Sequence, residues 1–377
     1  MTTARPLSLR QLNRATLDRQ GLLRRRRGPI APAIGRLAGL QAQHPNMPYI
    51  AAWSRHEGFS IDMLESALEA HSVVRATVMR ATLHLVEAAD FFAFDSPMAE
   101  VRLAMWAATA KRAGVDIDEL HAELLAFCGR PRTVAEMEAH LDGGLSDARL
   151  MGVLPASVRH AAFRLASAGG GLVHVPPSGT WKWHGKPSFI DARVWLPEVE
   201  RPEPDAALVI AAERYLSAYG PASQADFAKW IGPARVARIK VALAGLEDRL
   251  VRHSGPDGRE LLDLHGLDVP DGDVDAPVRF LARWDSALIA YDQRDRLLPA
   301  VHRAAVIKKN GDFLPTFLID GFVAGLWSIQ AGKTGAVIRL EPFGTVARAV
   351  RSALDEEAER LARFVEPEAD RHEVAWA

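Results

Sequence analysis

Residues 250–264 read LVRHSGPDGRELLDL, two apolar runs, Leu250-Val251 and Leu261-Leu262, held apart by Gly255-Pro256-Asp257-Gly258. Proline presets the backbone of a tight turn and glycine accepts the positive φ that closes one, so the stretch predicts a β-hairpin. The residues before it decide what the hairpin belongs to. PDAALVIAAERYLSAYG (204–220) has helical periodicity, Ser223-Gln224-Ala225-Asp226 opens a short helix ending at Trp230-Ile231-Gly232, and Pro233 starts a helix over 233–246. Three helices followed by a two-stranded wing is the order of a winged-helix module.

The order recurs upstream as a supersecondary pattern, without an exact sequence repeat. Helices are expected over 116–128 and over 133–141, where Thr133 and Glu136 have capping-box spacing. A third, over 155–168, stops at Gly169-Gly170-Gly171, and LVHVPPSGTWKWHG (172–185) reads as strand, turn and strand. Further upstream, 7–22 is an amphipathic helix with Leu9, Leu12 and Ala15 on one face, Ile34 to Leu40 is a second, and Ser60 caps a third over 60–71. The period then changes to two in VVRATVMRATLHLV (73–86), a two-stranded candidate. From about 277 short apolar runs punctuated by Asn310-Gly311 and Asp320-Gly321 mark a β-rich unit, closed by an acidic helix at about 345–364. The expected fold is α+β, with winged-helix modules over 1–115, 116–200 and 201–272 and a β-rich unit with a terminal helix over 273–377.

A chain of 377 residues, 48% hydrophobic and 25% charged, is too long for one small domain. Its one cysteine, Cys128, excludes an internal disulfide and any cysteine zinc site or iron–sulfur cluster built from this chain alone, which fits a reducing cytoplasm. The opening residues lack the apolar core of a secretory signal, and no apolar run reaches the roughly eighteen residues of a membrane span, so a soluble, cytoplasmic, nucleoid-associated protein with no membrane partner is expected. The thirteen histidines show no HExxH spacing, and Gly169-Gly170-Gly171 follows a helix instead of opening a phosphate loop, so neither metal nor cofactor is expected. A net charge of −1 excludes a uniformly cationic coat, and any nucleic-acid contact must be local. Residues 1–40 hold nine arginines (Arg5, Arg10, Arg14, Arg19, Arg24, Arg25, Arg26, Arg27 and Arg36) against one acid, Asp18. That run is either a DNA-binding face or a solvated helix and loop.

Five segments carry a resemblance in their order: GLQAQHPNMPYIAAWSR (39–55), VMRATLHLV (78–86), GPASQADFAKWIG (220–232), RWDSALIAYDQRDRLLP (283–299) and FLPTFLIDGFVAGLWS (313–328). The chain resembles the AlkZ-like family of winged-helix DNA glycosylases, which includes YcaQ-type relatives. The resemblance implies a C-shaped molecule of three winged-helix modules and a barrel-like unit around duplex DNA. It also implies release of N7-alkylguanine, including bulky genotoxin adducts or crosslinks, in general repair or in self-protection of a toxin producer. The family's functional motif, glutamine, an apolar residue and glutamine, maps onto Gln41, Ala42 and Gln43. YcaQ-like members carry aspartate where this chain has Gln43, which favours the AlkZ branch.

Residues two apart point roughly 200° from each other on a helix and to the same side in extended backbone. Pro45 biases its predecessor away from helix, so the helix from Ile34 is expected to end near Gln41 to Gln43 and let both amides converge. An amide does not titrate near neutral pH, so neither glutamine is a general base. An N7-alkylated guanine is already cationic and leaves as a neutral base, which removes the need for an acid. What remains is placing a water at C1′ and facing an oxocarbenium-like sugar with carbonyl dipoles.

Further DNA-contact candidates each have a structural alternative. Arg80 and His84 share a strand face and either touch phosphate or lesion or form a cross-strand pair; His44 either bonds DNA or the water or is a loop histidine. Lys182 and Lys186, among Trp181, Trp183 and His184, suit a groove contact or plain surface stacking. Arg294 and Arg296 either hold phosphates or pair with Asp292 and Asp295. Tyr49, Trp53, Trp284 and Trp327 read as core or turn residues. The partner expected is double-stranded DNA carrying alkylated guanine, bound by a monomer. A winged-helix transcription regulator and a non-catalytic damaged-DNA-binding protein are the rival readings.

Overall fold

The computed structural model describes residues 5–141, 160–232, 236–332 and 335–377. A short strand, β1 (Arg5–Pro6), leads into α1 (Leu9–Arg19), started by a reciprocal capping box in which Ser8 Oγ accepts from the Gln11 amide and Gln11 Oε1 accepts from the Ser8 amide. The helix is not a surface element: Leu12, Asn13, Arg14, Thr16 and Leu17 are all buried. Its arginines tie distant parts of the chain together. Arg10 and Arg14 pair with Asp320, and Arg19 grips both oxygens of Asp263 at 2.7 Å while donating to the Leu216 carbonyl. Arg14 and Arg19 therefore work inside the molecule and are no part of a basic face.

The helix expected over Ile34 to Leu40 lies earlier, as α2 (Ile30–Arg36). It stops because Ala38 and Gly39 take φ of 53° and 90°, which no right-handed helix continues. β2 (Leu40–Gln41) follows, then a helix that the sequence reading missed, α3 (Met47–Arg55), with Pro48 in its first turn. α4 (Ile61–Glu69) precedes an antiparallel hairpin of β3 (Val73–Thr77) and β4 (Leu83–Glu87), and a long helix not foreseen, α5 (Phe91–Ala113), ends at Gly114 with φ of 65°.

Next come α6 (Ile117–Phe127), β5 (Arg132–Thr133), α7 (Val134–Leu141) and α8 (Ala161–Ala166). The Thr133–Glu136 box forms as read, while residues 155–159 of the expected third helix lie outside the described residues. β6 (Leu172–Val175) is answered by β7 (Ser188–Asp191), not by residues 181–185. Pro176 and Pro177 stop the strand, and Trp181 is buried against Tyr49 and Phe364, so the tryptophan segment is a packed connection. β3 pairs with β6, so the first two hairpins belong to one six-stranded sheet, β2-β4-β3-β6-β7-β5.

After the short α9 (Ala192–Trp195) come α10 (Pro204–Tyr219), α11 (Gln224–Ile231), with its Ser223–Asp226 capping box, and α12 (Val236–Ala244). Residues 233–235 lie outside the described residues. The opening hairpin forms as read, β8 (Leu250–Ser254) against β9 (Glu260–Leu264), and β1 adds to β8 in parallel. The C-terminal unit contains β10 (Arg279–Leu281), α13 (Ser286–Ile289), α14 (Arg303–Val306), β11 (Thr316–Ile319), β12 (Phe322–Gly332), β13 (Gly335–Pro342), α15 (Arg348–Val365) and β14 (His372–Trp376). Its sheet runs β10-β11-β12-β13-β14 with β10 and β14 at opposite edges, so the barrel-like expectation gives way to an open sheet. The acidic helix α15 buries Leu354, Ala358, Leu361 and Val365 and keeps its charged residues outward, apart from Glu357. The fold is mixed α+β, and no helix among the described residues is long and apolar enough to cross a membrane.

Candidate active site

Because α2 ends early, the chain is extended when it reaches the motif. Leu40 pairs with Leu85 and Gln41 with His84, and the Ala42 amide donates to the Leu83 carbonyl at 2.8 Å. Leu40 and Ala42 are buried, Gln41 is half-buried and Gln43 is exposed, the alternation of a strand. Gln41 and Gln43 thus share one side of the edge of the six-stranded sheet. The extended geometry anticipated for the motif is present, but its cause is the exit through Ala38 and Gly39 and not Pro45.

Ala42 faces inward, and its carbonyl accepts from Arg75 Nη2 at 3.1 Å. Arg75 is buried, donates to Ser178 Oγ at 3.0 Å, and lies beside His174. It anchors the back of the motif strand to the connection after β6. Nothing in the alternating run 73–86 singles it out from its neighbours, so its role was not legible.

The front of the site is organised by Arg80, in the turn between β3 and β4 with φ of 55°. Its Nη1 donates to the Trp230 carbonyl near the end of α11 (2.6 Å), and its Nη2 donates to Gln41 Oε1 (3.1 Å) and to His84 Nε2 (3.0 Å). Gly232 permits this seating, since a Cβ there would come within 3.3 Å of the Arg80 backbone. A guanidinium only donates, so His84 Nε2 is the acceptor and Nδ1 carries the proton, given to the Thr82 carbonyl at 2.9 Å. Burial, then the Arg80 charge, push His84 down to about 3, while burial brings Arg80 down to about 10. At neutral pH the imidazole is neutral with both nitrogens engaged, and the guanidinium is charged. His84 is buried, so it touches neither phosphate nor lesion here; it supports Arg80, which lies in a turn and not on the strand face.

Gln41 Oε1 is oriented by Arg80, which leaves its second lone pair and the amide NH2 available. Gln43 Oε1 accepts from the Leu83 amide at 3.3 Å. Gln43 lines a hollow of about 550 Å³ shared with Leu83, Trp106, Phe163 and His174. The next residue, His44, lines a second of about 530 Å³ with Met47, Arg283, Leu326 and Glu341. The motif ends between two spaces large enough for parts of a ligand.

The remaining candidates separate by burial. Arg24 is exposed with no ion pair among the described residues, and Arg27 is exposed with Glu57 3.7 Å away. Arg26 donates to the Asp18 carbonyl, and Arg25 is committed to Glu357 of α15. Lys182 bonds both oxygens of Glu366, at 3.0 and 2.9 Å, whereas Lys186 is exposed. Arg294 donates to the Leu288 carbonyl and lies over Phe313, half-buried. Arg296, expected to reach phosphate, is instead inside, donating to the Pro221 carbonyl at 3.0 Å over the Tyr291 ring. Asp295 pairs with Arg303 and not with these two arginines.

This α+β chain, with two amides on one side of a sheet edge, matches a DNA glycosylase family along most of its length: the AlkZ-like DNA glycosylase profile covers residues 34–364. The chain belongs to that family and is a DNA glycosylase, a hydrolase of N-glycosyl bonds. It is 25% identical over 369 residues, 94% of this chain and 96% of the relative, to an interstrand DNA cross-link repair glycosylase of Streptomyces sahachiroi. The solved structure of Streptomyces sahachiroi DNA glycosylase AlkZ matches with a TM-score of 0.82 at 23% identity, over 99% of this chain and 100% of that one, a likeness of fold.

Proposed function

We propose that this chain is a monofunctional repair glycosylase that releases N7-alkylguanine from duplex DNA, bulky adducts and crosslinks included, with Gln41 and Gln43 at the reacting sugar. The observation that carries the reading is the pair itself: two amides on one side of an edge strand, each carbonyl oxygen held by one internal donor. Each oxygen keeps a lone pair for a hydrogen of the attacking water. The water oxygen bonds to C1′, the C1′–N9 bond breaks with its electron pair going to the base and cancelling the cation, and the water's surplus proton passes to solvent. His84 takes no part as a base, because its lone pair is occupied by Arg80. The relative named for interstrand crosslink repair supports the substrate class.

In this reading residues 1–115, 116–200 and 201–272 are winged-helix modules, the first two joined through a common sheet, and 273–377 is the β-rich unit. The protein works as a monomer on nucleoid DNA in the cytoplasm, with Arg24, Arg27 and Lys186 as the solvent-open cations for phosphate. The test is incubation with a duplex containing a single N7-methylguanine, followed by alkali. Strand breaks at the modified base, well above spontaneous background, are expected; background-level breakage, with tight binding to one undamaged sequence, would make the protein a regulator instead.

A further inference from the structure

Trp284 carries a bulky side chain at φ of 54°, a strained conformation that persists only where the surroundings impose it. Here they do. Its amide donates to the Phe313 carbonyl at 3.1 Å, and the next residue, Asp285, is locked to Arg55 and caps α13. The outcome of this backbone is an aromatic stack: the Trp284 and His44 rings lie 5.1 Å apart at 15°. His44 is exposed, follows Gln43 directly, and borders the hollow of about 530 Å³. Arg283, paired with Asp312 at 3.2 Å, lies 6.0 Å from the indole centre.

We propose that His44, backed by Trp284, is a stacking shelf for a purine ring of the damaged DNA, set beside the glutamine pair. The inference rests on the glycosylase reading and adds the group that recognises the base. Partial desolvation against its neighbours, and then the Arg283 charge, hold His44 below its ordinary value, so the outer ring is largely neutral at pH 7 and above. A neutral π face attracts a flat cation, whereas an imidazolium would repel one. A lesion-bearing purine is therefore a better occupant than an unmodified one, which places selectivity for the charged base at His44 and leaves bond breaking to Gln41 and Gln43.

The test uses the full-length protein and equilibrium binding to three duplexes: one with hydrolysis-resistant 2′-fluoro-N7-methylguanine, one with guanine and one with a tetrahydrofuran abasic analogue at the same position. His44→Ala is expected to weaken binding to the first about tenfold, the effect of losing one base stack, with His44→Phe restoring most of it and His44→Gln not. Sparing of the abasic duplex makes the lesion the occupant; an equal loss on all three duplexes, even if rescued by phenylalanine, would overturn recognition of the damaged base at His44. Binding by His44→Ala within about twofold of wild type on every duplex, or rescue by glutamine as complete as by phenylalanine, would overturn the shelf. These outcomes are read from binding, so they are independent of base release, the readout on which the glycosylase reading stands or falls.

Discussion

Replacing Gln41 or Gln43 with alanine is expected to slow base release from N7-methylguanine DNA by about 10²- to 10³-fold each under single-turnover conditions, the range for removing one aligned dipole from a reacting centre. The double variant should be little slower than the worse single one, because two groups holding one water act as a unit. Stability should hardly change. Without the Gln41 side chain, Arg80 keeps the Trp230 carbonyl and His84, and loss of Gln43 leaves the Leu83 amide in a partly open position where water replaces the lost acceptor. Thermal unfolding measured alongside the kinetics separates chemistry from folding. Full activity in both single variants would remove the glutamines from the site.

Asp285→Ala is expected to cost about 3–5 kcal/mol of stability, the range for stripping the partner from a buried charge. Asp285 holds Arg55 through both oxygens, at 2.6 and 3.0 Å, with side-chain exposures of 0% and 2%, and its Oδ1 also accepts from the Ala287 amide to start α13. Removing it strands a guanidinium between α3 and the C-terminal unit and uncaps a helix in one step. Urea unfolding at neutral pH reads the loss directly. The double substitution Arg55→Met with Asp285→Leu, which leaves no orphaned charge, should recover a large part of it. A loss below about 1 kcal/mol would mean that the pair is solvated in solution and is not a buried tie.

These two sites differ in how far the sequence announces them. The hairpin at 250–264, the capping box at Thr133–Glu136 and the helix start at Ser223 to Asp226 were legible because their signals lie within a few residues of each other. The boundaries of α2, the whole of α3 and α5, and the choice of Ser188–Asp191 over the tryptophan segment as partner of β6 were not. The first turns on the positive φ of Ala38 and Gly39, and the others on burial against distant residues, as when Trp181 is drawn between Tyr49 and Phe364. The arginine run stays ambiguous for the same reason: a basic stretch looks alike whether its partners are phosphates or Asp263, Asp320 and Glu357, hundreds of residues away. At the site, Gln41 and Gln43 were readable from a family resemblance. The neutral state of His84, the clamp from Arg75 and the strained Trp284 depend on tertiary placement and leave no local mark.

Non-titrating amides suffice at this site because the substrate already carries the charge that an acid would otherwise supply. The most direct measurement compares single-turnover release of free base from two duplexes identical except at one position, N7-methylguanine in one and neutral hypoxanthine in the other. N7-methylguanine is expected to be released, with hypoxanthine slower by at least about 10³-fold, roughly 4 kcal/mol of missing leaving-group assistance. Release of hypoxanthine within about tenfold of N7-methylguanine would require a proton donor in the site and rule out catalysis by the amides alone.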